Sequence, residues 1–179
     1  MKPLSLHALA VGDMLPTLTL EPLNRTTLAL FAGASNDHNP LHIDIDYAQR
    51  AGMPDVFAHG MLSMAWLGRQ LTDWCPQEKL RSLSVRFVGI TRLGDVIRCE
   101  AQVIELTDVA NERHARLQLK TVNQMDEIKV LGEAVVALVA RVHADARAAR
   151  EQGDIAAGLG QQAADIAADG AGAIDEGAH

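Results

Sequence analysis

Two cysteines in 179 residues, Cys75 and Cys99, are too few for a disulfide framework and show no metal-ligand spacing. Basic residues are also short: 16 Lys+Arg stand against 23 Asp+Glu, a formal net charge of −7. That balance excludes a general nucleic-acid binder and leaves room for a small anionic ligand held by local donors. No apolar run reaches 18 residues, so no membrane helix is expected. The opening Met1-Lys2-Pro3-Leu4-Ser5-Leu6 lacks an apolar stretch followed by a small-residue cleavage site, so no signal peptide is expected either. These absences together point to a reduced, cytoplasmic setting. No internal repeat is visible.

What remains is a chain of about one domain, with 48% apolar residues to build one core. Residues 144–179 stand apart from it. They hold 13 Ala, 6 Gly and no aromatic, and they carry −5 of the net charge. So little apolar surface cannot build a core, so this stretch reads as a flexible tail behind a domain of residues 1–143.

The first 25 residues suggest a Gly12-Asp13 turn and a short edge strand around Leu18, Leu20 and Leu23. Thr26 is the expected cap of a short helix through Leu28, Leu30 and Phe31 that stops at Gly33. A polar turn follows, Ser35-Asn36-Asp37-His38-Asn39-Pro40-Leu41-His42, in which Pro40 forbids helix and pushes Asn39 to an extended backbone. Asp44 to Ala51 reads as another short helix stopped by Gly52. Pro54-Asp55 marks a loop.

From Gly60 to Trp74 the sequence predicts a helix whose first two turns are apolar except for Ser63. Such a helix has no wet face and is expected to be buried nearly all round. After Pro76 the period changes to two. Leu83, Val85 and Phe87 alternate with polar residues, as do Ile97, Cys99, Ala101 and Val103, and then Ala115, Leu117 and Leu119. The run from Ile128 to Val142 is apolar on both faces and reads as a long central strand. Four strands joined by turns imply an antiparallel sheet with one wet face, which must curl around the dry helix.

The chemistry concentrates at two places. Asp37 and His42 place a carboxylate and an imidazole at a fixed spacing across a Pro-containing turn, the usual pair for moving protons near neutral pH. Asn39 lies between them. A metal set of His38, His42 and Asp44 is disfavoured by the intervening proline and by the lack of a metal spacing. The second place is the start of the apolar helix. Gly60 there lets a ligand approach free backbone N–H groups that can hold a developing oxyanion. His59 caps or lines that pocket, and Ser63 is expected to hydrogen-bond the helix start, with a place in the substrate-binding pocket as the alternative.

The run Ala34-Ser35-Asn36-Asp37-His38-Asn39-Pro40-Leu41-His42, with Phe57-Ala58-His59-Gly60-Met61-Leu62, resembles the MaoC-like hydratase/dehydratase family, which includes the (R)-specific enoyl-CoA hydratases. Val85-Arg86-Phe87 and Leu93-Gly94-Asp95 match it too, and the resemblance spans about residues 8–142. It implies an α+β hot-dog fold, a central apolar helix wrapped by a curved antiparallel β-sheet. It implies reversible hydration of a trans-2-enoyl thioester to an (R)-3-hydroxyacyl thioester, carried by CoA or an acyl carrier protein, with no metal and no redox cofactor. Asp37 and His42 would be the catalytic pair, Asn39 a residue holding the site, and the Gly60 N–H the group on the thioester oxygen. Where some members carry a serine within the helix this chain has Ala65, and Ser63 is offset from it by two residues. The family also implies a homodimer or higher even oligomer. A hot-dog thioesterase and a non-catalytic acyl-thioester-binding subunit are the competing readings.

Overall fold

The computed structural model describes residues 9–109 and 112–138. Its elements run β1 (Leu18–Thr19), α1 (Arg25–Ser35), α2 (Ile45–Arg50), α3 (Gly60–Trp74), β2 (Leu80–Phe87), β3 (Arg98–Val109), β4 (Glu112–Val122) and β5 (Ile128–Leu138), with 3-10 turns at Pro40–His42 and Gln77–Lys79. The expected domain limit at residue 143 and the Ala/Gly-rich tail lie outside the described residues. Among the described residues no helix is long and apolar enough to cross a membrane.

The five strands form one antiparallel sheet in the order β1-β3-β4-β5-β2. The alternation read from the sequence sets its faces. Cys99, Ala101 and Val103 of β3, and Ala115, Leu117 and Leu119 of β4, are buried on the side that receives α3. The doubly apolar β5 is paired on both edges, as such a strand should be. The strands are not a simple serial meander, however. β2 pairs with β5 at the far edge, so sequence neighbours β2 and β3 are separated in the sheet by β5 and β4.

Helix α3 lies across this surface. Its Leu67 and Leu71 are fully buried against the strand residues. Removing such side chains from water stabilises the fold by roughly 1.5–3 kcal/mol each. Gln70, also buried, spends its Nε2–H donors on the carbonyls of Pro16 (3.0 Å) and Cys99 (2.9 Å) and so ties the helix to both. Burial all round is not what the chain shows. Met61 is 54% exposed and Ala65 is exposed, while Leu62 and Ser63 beside them are buried. The sheet covers one side of the helix, and the opposite side of its first turns is open in the single chain.

A second core cluster joins α1, α2 and the start of α3. Leu23, Leu28, Ala48, Val56, Ala58 and Leu62 are buried together, with Phe31 and Trp66 packed on them. This cluster presses the polar turn against the helix start. Two local expectations change here. Asn24, not Thr26, caps α1: its backbone is extended and its side chain accepts from the Thr27 N–H at 2.9 Å, which leaves Thr26 inside the first turn. The helix also runs past Gly33 to Ser35 and ends at Asn36, whose left-handed φ of 58° asparagine tolerates well. α2 behaves as read, with Asp44 accepting from Asp46 and Tyr47 and Gly52 following at φ +85°.

Candidate active site

The polar turn is built from its own side chains. Ser35 Oγ donates to the Phe31 carbonyl at 2.7 Å and accepts from the Asp37 N–H at 3.3 Å. Asp37 Oδ1 accepts from the Asn39 N–H at 3.3 Å, and Asn39 Oδ1 accepts from the Leu41 N–H at 3.1 Å. Asn39 thus holds the turn that carries both ends of the acid–imidazole pair. Pro40 opens the short 3-10 turn that delivers His42.

Opposite it, residues 56–58 run as a short extended segment. Phe57 bridges to Arg92, and the Ala58 N–H donates to the Thr91 carbonyl at 2.9 Å. This pairing fixes the Phe57 carbonyl, which accepts from His42 Nδ1–H at 2.8 Å. A carbonyl can only accept, so His42 is held as the Nδ1–H tautomer with a lone pair on Nε2. The Phe57 ring stands edge-on to the imidazole at 4.9 Å. Burial pushes the His42 pKa below its ordinary value. The Phe57 carbonyl opposes that push, His59 adds to it, and the Asp37 carboxylate opposes it last.

His59 is 1% exposed. Its Nε2–H donates to the Asp37 carbonyl at 3.0 Å, and its ring lies 4.0 Å from that of His42 and 5.1 Å from that of Phe31. Asp37, His42 and His59 each bring a potential ligand atom within 4.8 Å of the others. This is the group that chelation would use, in place of His38, His42 and Asp44. Asp44 is committed to capping α2.

Gly60 follows directly as the first residue of α3, and among the described residues its N–H makes no backbone hydrogen bond. A Cβ at Gly60 would stand 3.3 Å from the Phe87 ring. Beside Gly60 opens a cavity of about 230 Å³, lined by Phe57, Ala58, Ser63, Phe87, Ile90 and Val130 among others. Ser63 does not cap the helix. It is buried and its Oγ faces Thr91 Oγ1 at 3.5 Å in the wall of that cavity. The reason is angular: three residues beyond Gly60, the side chain points into the core side of the helix rather than back at its end. Thr91 and the Phe57 carbonyl carry no sequence signal of their own, because both act through pairing between distant segments.

The model of the MaoC like domain family matches residues 11–125. This chain belongs to the MaoC-like family. Among curated relatives, the mitochondrial 3-hydroxyacyl-[acyl-carrier-protein] dehydratase of Arabidopsis thaliana is 30% identical over 131 residues, 73% of this chain and 78% of that protein. The 3-hydroxybutyryl-CoA dehydratase of Methylorubrum extorquens is 32% identical over 127 residues, 69% of this chain and 78% of that protein. Among solved structures, the unliganded R-hydratase PhaJ1 from Pseudomonas aeruginosa aligns with a TM-score of 0.64 at 30% identity, covering 74% of this chain and 84% of that one. The fold of this MaoC-like chain is therefore the hot dog that the resemblance implies.

Proposed function

We propose that the chain hydrates trans-2-enoyl thioesters to (R)-3-hydroxyacyl thioesters and catalyses the reverse dehydration. The observation that carries this reading is the meeting of the Asp37 turn, the His42 imidazole and the helix start at Gly60. Adding water across an α,β-unsaturated thioester needs a base at the water, a proton for Cα and a donor for the enolate oxygen. A water held between the Asp37 carboxylate and the His42 Nε2 lone pair forms the new C–O bond at Cβ. Its displaced proton passes to the pair and returns to Cα, so one H and one OH are added and nothing is left over. The Gly60 N–H, at the positive end of α3, donates a hydrogen bond to the thioester oxygen on which negative charge grows. The apolar cavity beside it receives the acyl chain, and CoA or an acyl carrier protein is the carrier end of the substrate, bonded through the thioester throughout, rather than a cofactor.

The site works without a metal ion in this reading. Imidazoles bound to zinc place their ring centres roughly 3.1 Å from the ion. Rings 4.0 Å apart, as His42 and His59 are, would then subtend about 80° against the roughly 109° of a tetrahedral site. We also propose a cytoplasmic setting and a homodimer or higher even oligomer. Support for the oligomer comes from the open side of α3 at Met61 and from the β2 end of the sheet, where Phe87, Val88 and Ile90 are 40–49% exposed.

The test is an assay on crotonyl-CoA that follows both the enoyl absorbance and free thiol. Loss of the absorbance without thiol, with (R)-3-hydroxybutyryl-CoA as product, is expected. Thiol release would make the protein a thioesterase. No turnover on enoyl thioesters of several lengths would make it a binding subunit.

A further inference from the structure

His59 occupies the cap position of α3, where Ser, Thr, Asp or Asn usually satisfies the first N–H groups, yet its side chain makes no cap hydrogen bond. It turns away instead and reaches 22 residues back along the chain to the Asp37 carbonyl. The accepting carbonyl requires the proton on Nε2, and Nδ1 is then left buried with no partner among the described residues. A buried polar atom left unpaired costs stability, and the sites where such a cost persists are candidates for function. The helix start thereby stays uncapped beside Gly60, while the residue before Gly60 grips the backbone of Asp37.

We propose that His59 is a positioning residue whose Nε2–H, by holding the Asp37 carbonyl, sets the proton-transfer turn at a fixed place relative to the Gly60 N–H. This rests on the hydratase reading of the same site. One residue then links the two halves of the machinery: its backbone begins the oxyanion-binding helix, and its side chain anchors the turn bearing Asp37 and His42. Its ring, packed between Phe31 and His42, keeps that N–H aimed. The hydrogen bond His59 makes is to the backbone of Asp37, not to the Asp37 carboxylate or the His42 Nε2. Its effect on rate comes through the distance between the groups that carry the chemistry.

The test compares His59→Gln with His59→Met. The two replacements have nearly the same length and shape, but only glutamine carries an N–H at the reach of the imidazole Nε2. The Met variant is expected to lose kcat by about 10²-fold, the cost of a small misplacement of reacting groups, with KM for crotonyl-CoA little changed. The Gln variant is expected to recover most of that loss. A residue that merely fills space would leave the two variants alike in kcat, and that result would overturn the proposal, as would wild-type kcat in the Met variant. Native-state hydrogen exchange on the same variants supplies an arm that needs no turnover. The Leu41, His42 and Asp44 amides, bonded within the turn, should exchange faster in the Met variant and at the wild-type rate in the Gln variant. Equal exchange in both would overturn the anchoring. If the wild-type protein hydrates no enoyl thioester, the hydratase reading fails, and the exchange arm still decides whether His59 holds the turn.

Discussion

The Nδ1–H of His42 donates to the carbonyl of Phe57 at 2.8 Å, and this one bond leaves Nε2 as the nitrogen free for the proposed proton transfer. Nε2 keeps its lone pair, and burial holds the ring's pKa below its ordinary 6.5, with His59 adding to the effect and Phe57 and Asp37 opposing it. With Nδ1–H engaged by the Phe57 carbonyl, the neutral ring offers Nε2 as the acceptor for a proton from water.

A pH profile checks this directly. The activity needs the unprotonated ring, so kcat/KM for hydration should fall as pH drops and should be flat around neutrality on that side. The midpoint of the acid limb should lie below 6.5, because the folded protein disfavours the charged ring. An acid limb centred above 6.5 that disappears in His42→Ala would contradict the lowered pKa, and a limb unchanged in His42→Ala would take His42 out of the step.

The Gly60 N–H can be removed with little else disturbed. Gly60 is the first residue of α3, where proline is well tolerated, and His59 before it has ψ 135°, which a following proline accepts. A Cβ there meets the Phe87 ring at 3.3 Å, a contact that a shift of a few tenths of an ångström relieves. Gly60→Pro should keep its circular dichroism spectrum and lose about 10² to 10³ in kcat, the usual effect of deleting one oxyanion donor. Full activity in the folded variant would remove Gly60 from the mechanism.

Much of this was legible in the residues, and what was not has a common cause. Period-two runs placed the buried faces of β3 and β4, because one side of a sheet meets the core and the other meets water. The dry stretch after Gly60 marked the helix the sheet curls over. The pairing of β2 with β5 was not legible, since strand order depends on contacts between segments far apart in sequence. The same holds for His59. Its bond to the Asp37 carbonyl is a tertiary contact, and nothing in the string His59-Gly60 indicates that the side chain points backward. Local competition explains the misplaced helix ends: Asn24 outcompeted Thr26 as a cap, and Ser35, bonding back to Phe31, carried α1 past Gly33.

Oligomer formation should be visible at micromolar concentration. Phe87, Val88 and Ile90 near the sheet edge, and Met61 on the open side of α3, leave apolar surface that a second copy would cover. Light scattering should give a mass of two chains or an even multiple. A monomer would show that this surface serves something else.

Asp37 and His42 are assigned to one water in one step, and the kinetics of their removal test that most directly. Both sit in or beside a turn outside the two core clusters, so Asp37→Asn and His42→Ala should fold normally by circular dichroism. Each should lose at least about 10² to 10⁴ in kcat/KM on crotonyl-CoA, the range typical of a positioned proton-transfer group. The double variant should be hardly slower than the worse single one, because groups acting as a unit do not lose their effects additively. Near-wild-type turnover in either folded single variant, or losses that multiply in the double, would contradict a shared step.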